Sequence, residues 1–253
     1  MPVSPQRTQR RPRGFRIRPL TTTADYAACV ELQELVWGPG DETIPPIMLQ
    51  VSQKVGAIAA GAFDPAGRLI GCVFGLTGLR HGRLAHWSHL LAVRPDARDQ
   101  GVGRRLKRFQ RARLLAMGVP TMYWTFDPLV ARNAHLNLNR LGASVEEYVP
   151  DMYGPADHNP VDRGIGTDRF IVRWDLKPQP RKRGHRPPRG STPVEVEIPR
   201  DIHALRDRNP RDAHAWRVET RRAFLHHLKR GYRVGGFHCG SRDERCFYLL
   251  VRP

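Results

Sequence analysis

Residues 98–103 read Arg-Asp-Gln-Gly-Val-Gly and lie between an apolar strand at 84–93 (LAHWSHLLAV) and a basic helix at 102–117 (VGRRLKRFQRARLLAM). Glycines at 101 and 103 remove side chains where the backbone must turn and come close to a ligand. The helix that follows aims its unpaired N–H groups and the positive end of its dipole at that turn. A strand, turn and helix in this order are suited to hold a pyrophosphate. The mononucleotide pattern G-x-x-x-x-G-K-S/T is excluded, because no Lys-Ser or Lys-Thr follows. The three-glycine spacing of the dinucleotide fingerprint is missing as well.

The chain has 253 residues, 40% of them apolar, enough for one large domain or one domain with an appendage. Its net charge of +18 is unevenly placed. Residues 1–14 carry Arg7, Arg10, Arg11 and Arg13 without an acid, and 177–193 carry six cations without one. Both stretches are proline-rich and poor in apolar residues, the composition of a disordered tail and a linker. A solubilising role is the favoured expectation for such segments, and non-specific nucleic-acid contact at low salt the less favoured one. The four cysteines (Cys29, Cys72, Cys239, Cys246) form no C-x-x-C pair. Reduced, buried thiols in a cytoplasmic protein are the expectation. No apolar run is long enough to span a bilayer, so no membrane role is expected, and the N-terminus lacks the apolar core of a secretory signal.

Along the chain the pattern predicts a strand at 15–19, then a helix over 24–37 capped by Thr23, and a short helix over 47–55. Strands at 56–63 and 69–76 flank Asp64-Pro65-Ala66-Gly67, a hairpin turn. The strand ending at Val93 is third in that meander. After the basic helix come a buried strand at 121–126 and a helix opened by Asp127-Pro128 and closed at Leu141-Gly142. Strands at 144–149 and 169–176 flank a loop of roughly twenty residues, a length usually tied to function. From Val194 onward the reading is a strand at 194–198, a helix opened by Asn209-Pro210 with Ala213, Trp216, Thr220, Phe224 and Leu228 at helical spacing, then strands at 232–238 and 246–251. That extension is the segment from which a homodimer interface would be built.

The strand, the R-x-x-G-x-G turn and the second strand–helix unit resemble the acyl-CoA site of the GNAT N-acyltransferase superfamily. The strings WTFDPLVARNAHLNLNRLGA (124–143) and TDRFIVRW (167–174), with the extension, resemble a bacterial subgroup of predicted acetyltransferases, some linked to N-succinylation of amino acids. The resemblance implies an α/β fold with a mixed, mostly antiparallel sheet flanked by helices over 15–176, joined through a linker at 177–193 to a smaller C-terminal βαββ extension at 194–253. It implies transfer of an acetyl or succinyl-type group from acyl-CoA, without a metal, to the primary amine of an amino acid or related small metabolite. It places the pyrophosphate on Arg98, Gln100, Gly101, Val102, Gly103 and Arg104, and the pantetheine arm on the backbone of Leu91, Ala92 and Val93. A backbone N–H near Leu91 would polarise the thioester carbonyl, a donor worth about 3–4 kcal/mol of barrier.

An ammonium cannot attack, so a base titrating near neutrality is needed, and histidine fits. His89 matches a histidine of arylalkylamine N-acetyltransferases, whose strand reads His-x-His-Ala-Leu-Ala-Val; their first histidine corresponds to Trp87 here. Strand alternation puts His89 with Leu91 and Val93, and His86 on the other face. The family tyrosine that protonates the leaving thiolate falls at Leu138, so Tyr148 and Tyr153 stand as substitutes, beside water. Asn133 and Asn137, four apart on a helix, are candidates for the pantetheine amides, although the usual family Asn falls at Ala131. Arg132, Arg163 and Arg169 are candidates to hold a substrate carboxylate. Rival readings are a CoA-binding protein without catalysis, a nucleic-acid-associated basic protein, and a protein-lysine acetyltransferase.

Overall fold

Arg18, Thr22 and Asp25 join the first strand to the first helix. In the computed structural model Thr22 Oγ1 accepts from the Asp25 N–H (3.1 Å), and the Asp25 carboxylate accepts from the Thr22 N–H (3.2 Å). This capping box begins α1 (Thr23–Trp37), so Thr22 is the cap and the expected cap, Thr23, is the first helical residue. Arg18 on β1 (Arg16–Pro19) donates to both oxygens of Asp25 at 2.6 and 2.8 Å, tying strand to helix. The structure describes residues 14–38, 43–154, 163–177, 193–240 and 245–252. Almost all of the expected basic tail and linker lies outside them.

The predicted hairpin is present. Asp64 Oδ1 accepts from the N–H groups of Ala66 and Arg68 and turns β2 (Ile58–Phe63) into β3 (Leu69–Arg80). β3 runs four residues past the predicted end and pairs with β4 (Arg83–Val93). A short helix, α2 (Pro46–Lys54), precedes the hairpin, and α3 (Val102–Ala116) follows β4. β5 (Thr121–Phe126) leads into α4 (Ala131–Ala134), which continues as a π-helical stretch over His135–Leu141. Gly142, at φ +73°, ends it. β6 (Ser144–Val149) and β7 (Arg169–Asp175) complete a seven-stranded sheet in the order β1-β2-β3-β4-β5-β7-β6. Its neighbours are antiparallel except β4 and β5.

The C-terminal residues form a second sheet from β8 (Val194–Pro199), β9 (Arg233–Cys239) and β10 (Arg245–Val251), in the order β8-β10-β9. Between β8 and β9 lie α5 (Ile202–Arg208) and α6 (Pro210–Lys229). The sequence reading passes over α5, whose cap is nonetheless visible in it: Asp201 Oδ1 accepts from His203 and Ala204. The two sheets share one core. Phe170 on β7 packs edge-on against Phe224 of α6 at 4.8 Å and Tyr248 of β10 at 5.5 Å. The expectation of four free thiols is corrected: Cys239 and Cys246, opposite each other on β9 and β10, form a disulfide, while Cys29 and Cys72 are free and buried. Strand pairing brings the first two side by side, which spacing alone does not show.

Candidate active site

β4 and β5 are paired only at His86–Met122 and Trp87–Tyr123. Beyond these positions no register joins them, so the two strands part like a fork. At the same level β4 carries a bulge. Phe74 pairs with Leu90 and Leu76 with Trp87, so Ser88 and His89 together face the single residue Gly75. A bulge adds one residue to one strand and flips the alternation beyond it. Leu91 and Val93 therefore pack toward Val102 and Leu106 of α3. His86 points to the same side, where its Nε2 meets Gln110 Nε2 of α3 at 3.2 Å. The expected separation of His86 from Leu91 and Val93 onto opposite faces is corrected by this one-residue slip.

Leu91, Ala92 and Val93 pair with Val73, Cys72 and Gly71 of β3 on one side only. In an antiparallel pair every second residue turns its N–H and C=O away from that partner, so this stretch offers backbone groups to the fork. The N-terminus of α3 stands beside it. Gly101 adopts the left-handed conformation (φ 78°, ψ 8°) that an L side chain resists, and no side chain caps the helix. A Cβ on Gly103 would lie 3.6 Å from Leu91, 3.8 Å from Val93 and 3.8 Å from Leu136, so side chains of β4 and of the π-helical stretch converge on this glycine at ordinary contact distance. Gln100 donates to the Asp96 carbonyl (3.1 Å) and braces the turn. Burial, and after it the charge of Arg132, lower the pKa of Arg98. Arg104 Nε is buried without a hydrogen-bond partner.

His89 stands at the bulge. Solvent reaches its ring, yet desolvation by the surrounding protein lowers its pKa, so it is a neutral acceptor at physiological pH. Across the fork Tyr153 is half-exposed, with its phenol 2.8 Å from Thr125 Oγ1, two residues beyond the last β4–β5 pair. Tyr148 is elsewhere. It is buried among Phe170 and Phe224, and its hydroxyl donates to Asp168. Burial and that carboxylate push its pKa upward, and the structure places the expected Tyr148 in the core, its hydroxyl taken up by Asp168. Asn137 is also buried, and its Oδ1 accepts from Trp124 Nε1 at 3.1 Å. The wider turn of a π-helix breaks the four-residue face expected to align it with half-exposed Asn133. Arg169 is buried, donates to the Asp168 carbonyl and lies over the Tyr153 ring at 5.2 Å, while Arg132 and Arg163 are exposed.

The sequence reading missed a buried polar chain under the fork. Lys107 Nζ donates to Ser88 Oγ (2.8 Å) and lies 4.0 Å from the Trp124 ring centroid, joining β4 to β5 where they part. Ser88 donates to Gln110 Oε1 (2.8 Å), Gln110 meets His86, and His86 Nδ1 lies 2.9 Å from Thr77 Oγ1. Burial lowers the Lys107 pKa well below that of a free lysine, and burial followed by the Lys107 charge lowers that of His86 to about 3. One signal was present in sequence: Lys107 follows Gly103 by one helical turn, on the inward side of α3. Among the described residues no three His, Cys, Asp or Glu side chains gather as a metal would require, and no helix is long and apolar enough to cross a membrane.

A ribosomal-protein alanine N-acetyltransferase from Escherichia coli superposes with a TM-score of 0.50 at 18% identity, over 67% of this chain and 98% of its own. YncA from Salmonella typhimurium, with its cofactor acetyl-CoA, gives 0.51 at 19% identity over 66% and 96%. This chain has the GNAT fold. An N-acetyltransferase from Staphylococcus aureus, at 13% identity, gives 0.52 over 65% of this chain and 100% of its own. No protein-family model matches the sequence, and no curated protein matches it. The coverage leaves about a third of the chain outside the shared GNAT fold.

Proposed function

We propose that this chain is an acyl-CoA-dependent N-acyltransferase that moves an acetyl or succinyl-type group to the primary amine of an amino acid or related small metabolite. One observation carries the reading: an uncapped helix N-terminus opens beside two strands that have come apart. The α3 amides with Arg98, Gln100, Gly101, Val102, Gly103 and Arg104 would take the pyrophosphate. The fork edge of Leu91, Ala92 and Val93 would take the pantetheine amides, and an N–H near Leu91 the thioester oxygen. Asn133, partly exposed, remains a pantetheine contact in this reading.

In the reaction the amine nitrogen attacks the thioester carbonyl carbon, and the C–S bond breaks with its electron pair left on sulfur. His89, directly or through water, takes the proton the amine sheds. Tyr153 gives a proton to the thiolate and regains one from solvent. The acceptors of the similar proteins range from a ribosomal protein alanine to an aminoglycoside, so the fold does not choose the amine. That choice rests here on guanidinium groups near the turn, of which Arg132 is exposed.

Calorimetry with CoA, acetyl-CoA and succinyl-CoA tests the binding half, followed by turnover with a panel of amino acids. Gly103→Trp sets a large ring at the mouth of α3, against Leu91, Val93 and Leu136, and is expected to abolish CoA binding while leaving the circular dichroism spectrum intact. Unchanged affinity in that variant defeats the phosphate assignment. Tight CoA binding with no turnover on any amine would instead leave a CoA-binding protein without catalysis, the reading that Leu138 in place of the family tyrosine favours.

A further inference from the structure

The chain segments bounding the fork on its β5–β7 side are held from outside the seven-stranded sheet, by two arginines of α6. Arg217 is almost completely buried. Its guanidinium donates to Asp127 Oδ2 (2.6 Å) and to the Ile165 carbonyl (2.7 Å). Asp127 follows β5, and its other oxygen accepts from the Leu129 N–H (2.8 Å) in the turn leading into α4. Arg221, one helical turn further on, donates to both oxygens of Asp168, with Nε at 2.9 Å, and to Asp151 Oδ1 at 2.7 Å. Asp151 follows β6, and Asp168 precedes β7. Three strand ends are thus gathered on one helix.

Asp168 has no exposed surface, and it also accepts from the Tyr148 hydroxyl and the Asp151 N–H (3.0 Å). A carboxylate with several charge-assisted or buried donors is fixed in place. The fixation extends along the next three residues. The Met152 N–H donates to the Thr167 carbonyl (3.1 Å), the Tyr153 N–H to Thr167 Oγ1 (3.2 Å), and Thr167 Oγ1 to the Gly154 carbonyl (2.8 Å). Gly166, at φ +80°, brings its backbone close enough that an added Cβ would sit 3.3 Å from Asp151 Oδ1. Tyr153 therefore leaves a rigid base, and its phenol ends at Thr125, on the open side of the fork.

We propose that Arg221 of the C-terminal helix is a positioning residue of the acyl-transfer site, fixing Asp151 and Asp168 so that the Tyr153 phenol is held against Thr125 at the mouth of the fork. This rests on the acyl-transfer reading above. The extension is then part of the active site rather than an appendage to it. Arg221 touches no substrate; its effect passes through Tyr153. Arg217, gripping the ends of β5 and of the β7 approach, supplies the fixed frame on which this alignment depends.

A double-mutant cycle separates this role from a merely structural one. Kinetics are measured for the wild type, Arg221→Gln, Tyr153→Phe and the double variant, with CoA affinity followed by calorimetry. Arg221→Gln is expected to lower kcat about 100-fold, the order of loss that follows a misplacement of about 1 Å. Its CoA affinity should stay within threefold of wild type, and Arg221→Lys should recover part of kcat. In the Tyr153→Phe background Arg221→Gln should change kcat no further. If the two losses multiply, or if CoA affinity falls in step with kcat, Arg221 does not act through Tyr153. Should Arg221→Gln fail to fold, Arg221→Lys carries the same cycle. A wild type that binds no CoA or transfers no acyl group defeats the acyl-transfer reading itself, and the Arg221 assignment with it.

Discussion

His86 illustrates how one side chain can be essential to the site's frame without entering its chemistry. It is fully buried between α3 and β3, with Gln110 on Nε2 and Thr77 on Nδ1. Burial acts on it, and the Lys107 charge on α3 as well. Protonation would set a second donor against the Gln110 amide and a cation near the lysine, so the folded state keeps the ring neutral down to about pH 3. An unfolded chain takes up that proton near pH 6.5. The sign follows: the contribution is whole above pH 6.5 and is lost as pH falls toward 3, at up to about 1.4 kcal/mol per unit. Melting temperatures between pH 7 and pH 5 are expected to fall in the wild type, with a shallower slope in His86→Gln. The lowered carboxylates, Asp25 and Asp168, titrate below that window and do not mask the difference. Equal slopes would show that His86 exchanges its proton freely. Strand alternation in the sequence sets His86 on the face away from Leu91 and Val93; the bulge turns it instead toward α3, as a buried brace, while His89 stays exposed.

At the scale of elements, the bulge in β4 lies where β4 and β5 part, and it depends on Gly75. A Cβ there would fall 2.4 Å from His86 Nε2 and 2.5 Å from the Trp87 carbonyl oxygen. The second contact is with backbone and cannot rotate away. Gly75→Ala is expected to destabilise the protein by about 1–3 kcal/mol, the usual range for overpacking, as read by urea unfolding. Wild-type stability in that variant would mean that β3 and β4 can separate further than their pairing implies. Local signals gave most other elements. β5 and β6 fall at the predicted residues because each is a short run of strand formers bounded by turn residues. The turn before α3 was legible for the same reason, since glycine positions report backbone demands directly. A bulge leaves no such mark. It arises from the fit of one strand to its neighbour, and Ser88-His89 could as well have continued the alternation.

The whole molecule joins two sheets through α6 and a cluster of aromatic rings, and its two redox environments differ. Cys29 and Cys72 are buried in the first sheet's core, whereas Cys239–Cys246 staples β9 to β10 in the second. Reduction of the bridge reopens a short loop and is expected to lower unfolding stability by about 2–3 kcal/mol. CoA affinity should be unaffected, because the glycine turn at the mouth of α3 and the fork belong to the other sheet. Loss of CoA binding on reduction, seen by calorimetry with and without dithiothreitol, would show that the sheets are coupled more tightly than their shared core requires. The sequence by itself determined the meander, the glycine turn at the mouth of α3 and the amphipathic face of α6, because each follows from neighbours a few residues apart. It also carried Arg217 in the inward stripe of α6, four after Ala213 and three before Thr220, but not the partners that make a buried guanidinium tolerable there. The disulfide, the one-residue slip at Ser88-His89 and the burial of Tyr148 and Lys107 were decided only by tertiary structure. Each depends on which distant segment lies alongside, and hydrophobic periodicity records that a face is buried without recording against what.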